Sequence, residues 1–397
     1  RPPRSTLFPY TTLFRSAFKL GYFCLAIPAG LFMQRMGYKA GLIVGLLFFA
    51  LGCFLFLPAA MAGVYIYFLG ALFVIASGLA FLELGANSFI VGLGDPATSE
   101  RRLNLAQSFN PIGGITGVAV GTIFIFSGNE PTAGEILEMK TAGTYHAFLE
   151  AENLRVGPTY IILGIIVLIV AFLIWRTKFP KIETSGDTEH KGSFRALLQY
   201  PHWYNAVIAQ FFYLGAQLGT WSYLITYVQE NSPMTEKQAG GLLILNMVLF
   251  MCGRFFSTFL MKYIKPTRLM GVYSLINIGL VLIVIASSRW ANVFGLHDLS
   301  HWIGIGAMIC TTFFMSLMYP TIFASGVKGL GQNAKLGASV LIMSLIGGAI
   351  LTPVMGLIAD SHWAHAVAPA MIVPMFAYCV VAYFSFIGSK PGGPVCE

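Results

Sequence analysis

The chain has 397 residues and a formal charge of +8, yet only 10% of its residues are charged and 56% are hydrophobic. Soluble domains carry about 25% charged residues, so the composition excludes an ordinary soluble protein. The cations lie in short loops between apolar runs, which argues against a nucleic-acid surface. The six cysteines form no CxxC, and the seven histidines no HExxH, so neither a disulfide framework nor a zinc site is expected.

Residues 1–16 read RPPRSTLFPYTTLFRS and lack the apolar core of a signal peptide. Thr6 to Ser16 is the translation of a common sequencing-library adapter. The expectation is a foreign segment, 1–16, fused to a coding sequence that has lost its first helix.

Eleven apolar spans follow: Ala17–Met33, Ala40–Ala62, Val64–Leu93, Leu103–Ser127, Pro158–Trp175, Trp203–Val228, Gly240–Met261, Leu269–Ser287, Trp302–Val327, Ala338–Ala359 and Val367–Gly388. About 20 apolar residues cross a bilayer. Pro28, Pro111, Pro320 and Pro353 lie inside spans. Such prolines are tolerated where neighbours satisfy the carbonyls they free.

The third span carries one carboxylate, Glu83, with Asn87 a turn later on the same face. An ionised group at membrane depth costs at least about 2.5–3.5 kcal/mol. It reads either as a functional group facing the bundle interior or as one that snorkels or pairs with a neighbouring helix. The loops alternate in charge. One side holds fifteen Lys and Arg, Arg35 through Lys390; the other holds four, Lys140, Arg155, Lys237 and Arg289. The positive-inside rule then puts the C-terminus in the cytoplasm.

An ungapped shift of 234 residues aligns Phe89 with Phe323, Gly92 with Gly326, Arg101 with Lys335 and Ile112-Gly113-Gly114 with Ile346-Gly347-Gly348. The repeat divides the chain into residues 17–176, a linker 177–200, residues 201–388 and a tail 389–397. That gives an all-α polytopic membrane protein of two pseudo-symmetric bundles, with 11 of the usual 12 helices. Parallel repeats of this kind build major facilitator transporters, whose substrates bind near the midplane.

Polar side chains inside spans are therefore candidate ligands. The first half offers Glu83, Asn87, Asn104, Gln107 and Asn110; the second offers Gln210, Gln217, Trp221, Tyr223, Asn246 and Tyr319. Amides and a carboxylate suit sugar hydroxyls, and an aromatic face suits the sugar ring. The same residues also read as interhelical hydrogen bonds and ordinary packing. Arg254, in CGRFFSTFLMKY, reads as a structural partner of the basic turn that follows it, not as a ligand.

FLELGANSFI, RRLNLAQSFN, GAQLGTWSYLITY, YPTIFASGVKGLGQ and IGGAILTPVMGLIAD together resemble bacterial L-fucose–proton symporters, in the fucose–galactose–glucose branch of the major facilitator superfamily. The resemblance spans Ala17 to about Phe386. It implies alternating access and proton-driven sugar import across the inner membrane by a monomer, with no cofactor beyond the proton gradient and no nucleic-acid partner. It implies that Glu83 couples protons and binds sugar, that Gln107 and Asn110 are cavity amides, and that Trp221 and Tyr319 are cavity aromatics. Asn87 and Gln217 join them by position. The family's first helix carries a coupling aspartate that this chain lacks. Alternatives are a transporter of another hexose or amino sugar, a polytopic membrane enzyme, or a non-transporting sugar receptor.

Overall fold

The computed structural model describes residues 8–120, 124, 133–180, 193–294, 297–361 and 367–390. Residues 1–7 and 391–397, the middle half of the linker (181–192), and the end of the span expected at Leu103–Ser127 lie outside the described residues. Those described form helices and turns, with no strand among them.

The chain divides into two compact units. The first comprises residues 1–86 and 113–181; the second comprises 87–112 and 182–397. Two helices run from one into the other: α2 (Tyr65–Gly92) and α4 (Asn110–Val120).

In the first unit, α1 (Phe8–Ala62) has two legs that meet at Gly37, where φ is 82° and ψ is 168°. A left-handed φ of that kind costs glycine nothing, so the turn falls where the sequence supplies one. Phe8 to Ser16 continue the first leg as helix. The second leg crosses α2 closely: a Cβ on Gly78 would lie 2.6 Å from the backbone nitrogen of Phe49. Small residues permit such approaches between membrane helices. The α6 helix (Tyr145–Arg176) packs on α1, where Phe56 and Tyr160 stack with centroids 3.9 Å apart. Lys39 Nζ donates to the Trp175 carbonyl at 2.7 Å, a charged cap on the last turn of α6. A shorter helix, α5 (Ala133–Thr141), precedes α6.

In the second unit, α3 (Ser99–Gln107) follows a short turn after α2. After α7 (Phe194–Leu197) come α8 (Pro201–Asn231), α9 (Glu236–Leu260), α10 (Pro266–Phe294), α11 (His297–Met315) and α12 (Met318–Val327). Then follow α13 (Ala334–Met343), α14 (Gly347–Ala359), α15 (Val367–Ala370) and α16 (Ile372–Tyr383). The spans expected at Trp302–Val327 and Ala338–Ala359 are each broken once, at 316–317 and 344–346. The α8 helix packs against α9, α12, α14 and α16. At its crossing with α14, Gly347 lies so near the Phe211 carbonyl that a methyl group would overlap it.

Among the described residues, eight helical stretches are long and apolar enough to cross a membrane. One of them, Leu20–Ala62, holds both of the first two expected spans. Of the two expected spans not among them, one is α8 and the other, Leu103–Ser127, ends outside the described residues. In α8 the amides Asn205, Gln210, Gln217, Gln229 and Asn231 lower the hydropathy.

Candidate functional site

A set of polar side chains in the second unit forms where α2, α3, α9 and α12 meet. Its geometry starts from two prolines. A helical carbonyl normally accepts from the N–H four residues on. Pro111 and Pro320 have no N–H, so the carbonyls of Gln107 and Ser316 lose their helical donors. One side chain takes both. Arg254 Nε donates to the Ser316 carbonyl at 2.9 Å, and its Nη1 donates to the Gln107 carbonyl. The residue before it is Gly253, where a Cβ would overlap the Phe313 carbonyl oxygen, so α9 and α11 touch at that level. Arg254 is 4% exposed, and its guanidinium lies 4.5 Å from the centre of the Phe250 ring. The expectation that Arg254 serves the basic turn after α9 is thereby corrected: the side chain is directed at two proline-freed carbonyls in other helices.

From Arg254 a chain of amides extends. Its Nη1 also donates to Gln107 Oε1 at 3.2 Å. Gln107 Nε2 donates to Asn87 Oδ1 at 2.8 Å, and Asn87 Nδ2 donates to Tyr319 Oη at 3.2 Å. Asn110 Nδ2 donates to Gln107 Oε1 at 3.2 Å. Asn87 and Tyr319 are buried, Gln107 is half-buried and Asn110 is exposed. Four of the expected site residues thus form one hydrogen-bonded set. The interhelical reading of the amides holds as well, since these bonds join α2, α3 and α12.

Two anchors hold the set in place. Asn104 Nδ2 donates to the Arg254 carbonyl at 3.0 Å and to Thr258 Oγ1 at 2.8 Å. Arg102 braces the corner between α2 and α3: its guanidinium donates to the carbonyls of Ile90, Val91 and Asp95 and to Thr98 Oγ1. Beyond them, buried Glu100 accepts from Lys328 Nζ at 3.1 Å.

On the other side of Arg254, the Trp221 ring meets Phe250 edge-on, with centroids 5.1 Å apart. The Trp221 indole Nε1 is buried and has no hydrogen-bond partner among the described residues. An indole N–H in that position is a donor in want of an oxygen. Gln217 is half-buried one turn earlier on α8 and stands outside the amide chain.

Glu83 is half-buried in the first unit, four residues before Asn87 along α2. The hydroxyl of buried Tyr22, on the first leg of α1, hydrogen-bonds to it. Sequence reading missed both Tyr22 and the role of Arg254. Each meets its partner through a contact between helices distant in sequence, and periodicity within one helix carries no signal of that. For Arg254 a hint existed in the two intramembrane prolines, which require donors from somewhere.

Among the described residues, no group of three or more His, Cys, Asp or Glu is placed to hold a metal ion.

Apolar helices of membrane-spanning length around buried amides and a half-buried carboxylate define a multi-pass membrane protein with a polar interior. The chain belongs to the Major Facilitator Superfamily, whose family model matches residues 11–347. It is 41% identical over 384 residues to the L-fucose-proton symporter of Escherichia coli (strain K12), covering 95% of this chain and 84% of the relative. It is 35% identical to the L-fucose-proton symporter of Haemophilus influenzae, over 94% of this chain and 87% of the relative. Its fold matches the crystal structure of a Major Facilitator Superfamily transporter, FucP, in the outward conformation, with a TM-score of 0.83 and 40% identity, covering 94% of this chain and 88% of that one.

Proposed function

We propose that this protein imports L-fucose or a closely related hexose together with protons across the bacterial inner membrane. Residues 17–176 and 201–388 act as the two bundles of an alternating-access cycle, and the C-terminus faces the cytoplasm. Glu83 carries the proton. Asn87, Gln107, Asn110, Gln217, Trp221 and Tyr319, with Glu83, hold the sugar. The energy source is the proton gradient, and the working unit is a monomer that needs no cofactor.

The observation that carries this reading is the continuous chain from Arg254 through Gln107 and Asn87 to Tyr319. Sugars present hydroxyls that both donate and accept, and neutral amides and a phenol match them without the charge that an ionic substrate would call for. Trp221 adds an apolar face beside the polar set. The names of the two relatives point to the same substrate class.

Counterflow of labelled sugars in proteoliposomes tests the proposal. L-fucose is expected to exchange well above empty liposomes and to outcompete glucose, galactose and N-acetylglucosamine. Exchange no faster than in empty liposomes would defeat the reading. In the same assay Trp221→Ala is expected to weaken sugar binding about 3- to 10-fold, from loss of an aromatic contact of about 0.5–1.5 kcal/mol. Trp221→Phe keeps the ring and should weaken it less. Equal affinities in parent and both variants would make Trp221 a packing residue only.

A further inference from the structure

We propose that the turn between α9 and α10 binds the headgroup of an anionic phospholipid, whose acyl chains lie on the exposed apolar faces of those two helices.

The sequence concentrates positive charge here. Lys262, Lys265 and Arg268 stand at three-residue intervals, and no Asp or Glu occurs between Glu236 and Asp298. Gln238–Leu260 and Pro266–Ser287 are both apolar and long enough to cross a membrane. The five residues that join them, 261–265, therefore lie where a bilayer meets water, and Arg268 follows in the first turn of α10. Tyr263 is 75% exposed in this turn, and its ring packs edge-on against Phe259 with centroids 5.5 Å apart. Tyrosine is enriched at the headgroup level of membranes.

The turn is stiff. The N–H groups of Met261, Lys262, Tyr263 and Ile264 all donate to carbonyls in the last turns of α9. Pro266 opens α10 with its φ already set. Ser385 Oγ donates to the Thr267 carbonyl, which ties the start of α10 to the chain just after α16. The cations thus project from a fixed backbone, and little main-chain ordering opposes binding.

Their charge is unspent within the protein. Other cations are directed inward: Lys39 to the Trp175 carbonyl, Arg102 to the corner between α2 and α3, and Lys328 to Glu100. Lys262, Lys265 and Arg268 are all exposed. Lys262 Nζ lies 5.5 Å from the centre of the Phe259 ring. Lys265 and Arg268 have no hydrogen-bond or ion-pair partner among the described residues. Two ammonium groups and a guanidinium match a phosphate diester, and the guanidinium can hold two of its oxygens at once.

Apolar surface begins one turn from these charges. Phe256 and Phe259 are exposed on α9, and Val272 and Leu275 on α10. Between the two helices lies α11, whose Phe313 meets Phe256 and whose Phe314 meets Tyr273, with centroids 5.7 and 5.0 Å apart. A cationic cluster that leads directly into exposed apolar side chains suits a molecule with an anionic head and long apolar chains. A free phosphate would use only the first of these features.

The test is native mass spectrometry of the full chain, titrated in separate arms with dioleoyl phosphatidylglycerol, dioleoyl phosphatidylcholine and inorganic phosphate. The two lipids share their chains and differ in net charge. The first phosphatidylglycerol is expected to bind about 10-fold or more tightly than phosphatidylcholine, and phosphate at the same concentration should not displace it. Lys262→Gln, Lys265→Gln and Arg268→Gln should each weaken phosphatidylglycerol binding about 3- to 5-fold. Together they should abolish its advantage and leave phosphatidylcholine binding unchanged. If the triple variant does not fold, the three single variants carry the same test. Arg176→Gln, Lys178→Gln and Arg195→Gln together remove equal charge from exposed positions around the linker, and that protein should keep the parent's preference. A parent protein with no preference for phosphatidylglycerol overturns the inference. So does equal loss in the two triple variants, which would reduce the effect to net charge, and so does displacement by phosphate, which would make the turn a site for free anions.

Discussion

Glu83→Gln is expected to abolish proton-driven accumulation while sugar exchange continues. With one proton per sugar, a gradient of one pH unit is worth about 1.4 kcal/mol, or about tenfold accumulation. The glutamine variant should fall to a ratio of about one. Glutamine has the shape of the protonated acid and keeps its hydrogen-bonding capacity, but it cannot release a proton. Glu83 interrupts an otherwise apolar run, it is half-buried, and the Tyr22 hydroxyl hydrogen-bonds to it. A carboxylate so placed is retained against a cost of at least about 2.5 kcal/mol, which selection tolerates when the charge does something. The measurement is uptake against an imposed pH gradient in proteoliposomes, set beside counterflow without one. Equal accumulation by parent and variant would remove Glu83 from the coupling role. Loss of counterflow as well would make it a sugar ligand above all.

Gly347→Ala is expected to prevent folding of the second unit. The added methyl would overlap the Phe211 carbonyl oxygen and approach its Cα to 3.0 Å. These are backbone atoms of a long helix, so no rotamer change relieves the clash; α8 and α14 must separate. Overpacking typically costs about 1–3 kcal/mol, and more where the obstacle is rigid. Folded protein in detergent, followed by fluorescence-detected size exclusion, should fall at least severalfold. Gly279→Ala is the internal control: a methyl group there meets nothing within 4 Å, and α10 should tolerate it. A Gly347→Ala protein that runs as a single peak and melts with the parent would show that the crossing has slack.

Much of this architecture was legible in the chain. Apolar length marked the helices, and amides spaced three and four apart marked the faces that converge. Asn87, Gln107, Asn110 and Tyr319 stand out in the sequence as polar groups within apolar spans, and they bond to one another. What was illegible depends on contacts between helices. The sequence shows that Pro111 and Pro320 leave carbonyls in need of donors, but not that one arginine, 143 residues from the first and 66 from the second, serves both. The breaks after Met315 and Met343 escaped notice because hydropathy runs through them unchanged. The turn at Gly37 left a single glycine as its trace, and glycine is abundant throughout this chain.

The brace at Arg102 has a mechanical consequence. By tying the last carbonyls of α2 to Asp95 and Thr98, it makes the end of α2 and the start of α3 a single stiff elbow. Asn87 and Gln107 ride on that elbow and keep their spacing when it moves. The bonds that can part are those along its seam with α9 and α12: Asn87 to Tyr319, Gln107 to Arg254, Asn104 to Thr258 and Glu100 to Lys328. The first three are neutral or singly charged and worth about 1 kcal/mol net, somewhat more where the guanidinium takes part; the last is an ion pair on the buried Glu100 carboxylate. The seam is thus a row of small, separable fasteners. The first three can open one at a time, each at a small cost, while the Glu100–Lys328 pair is the firmest of the row.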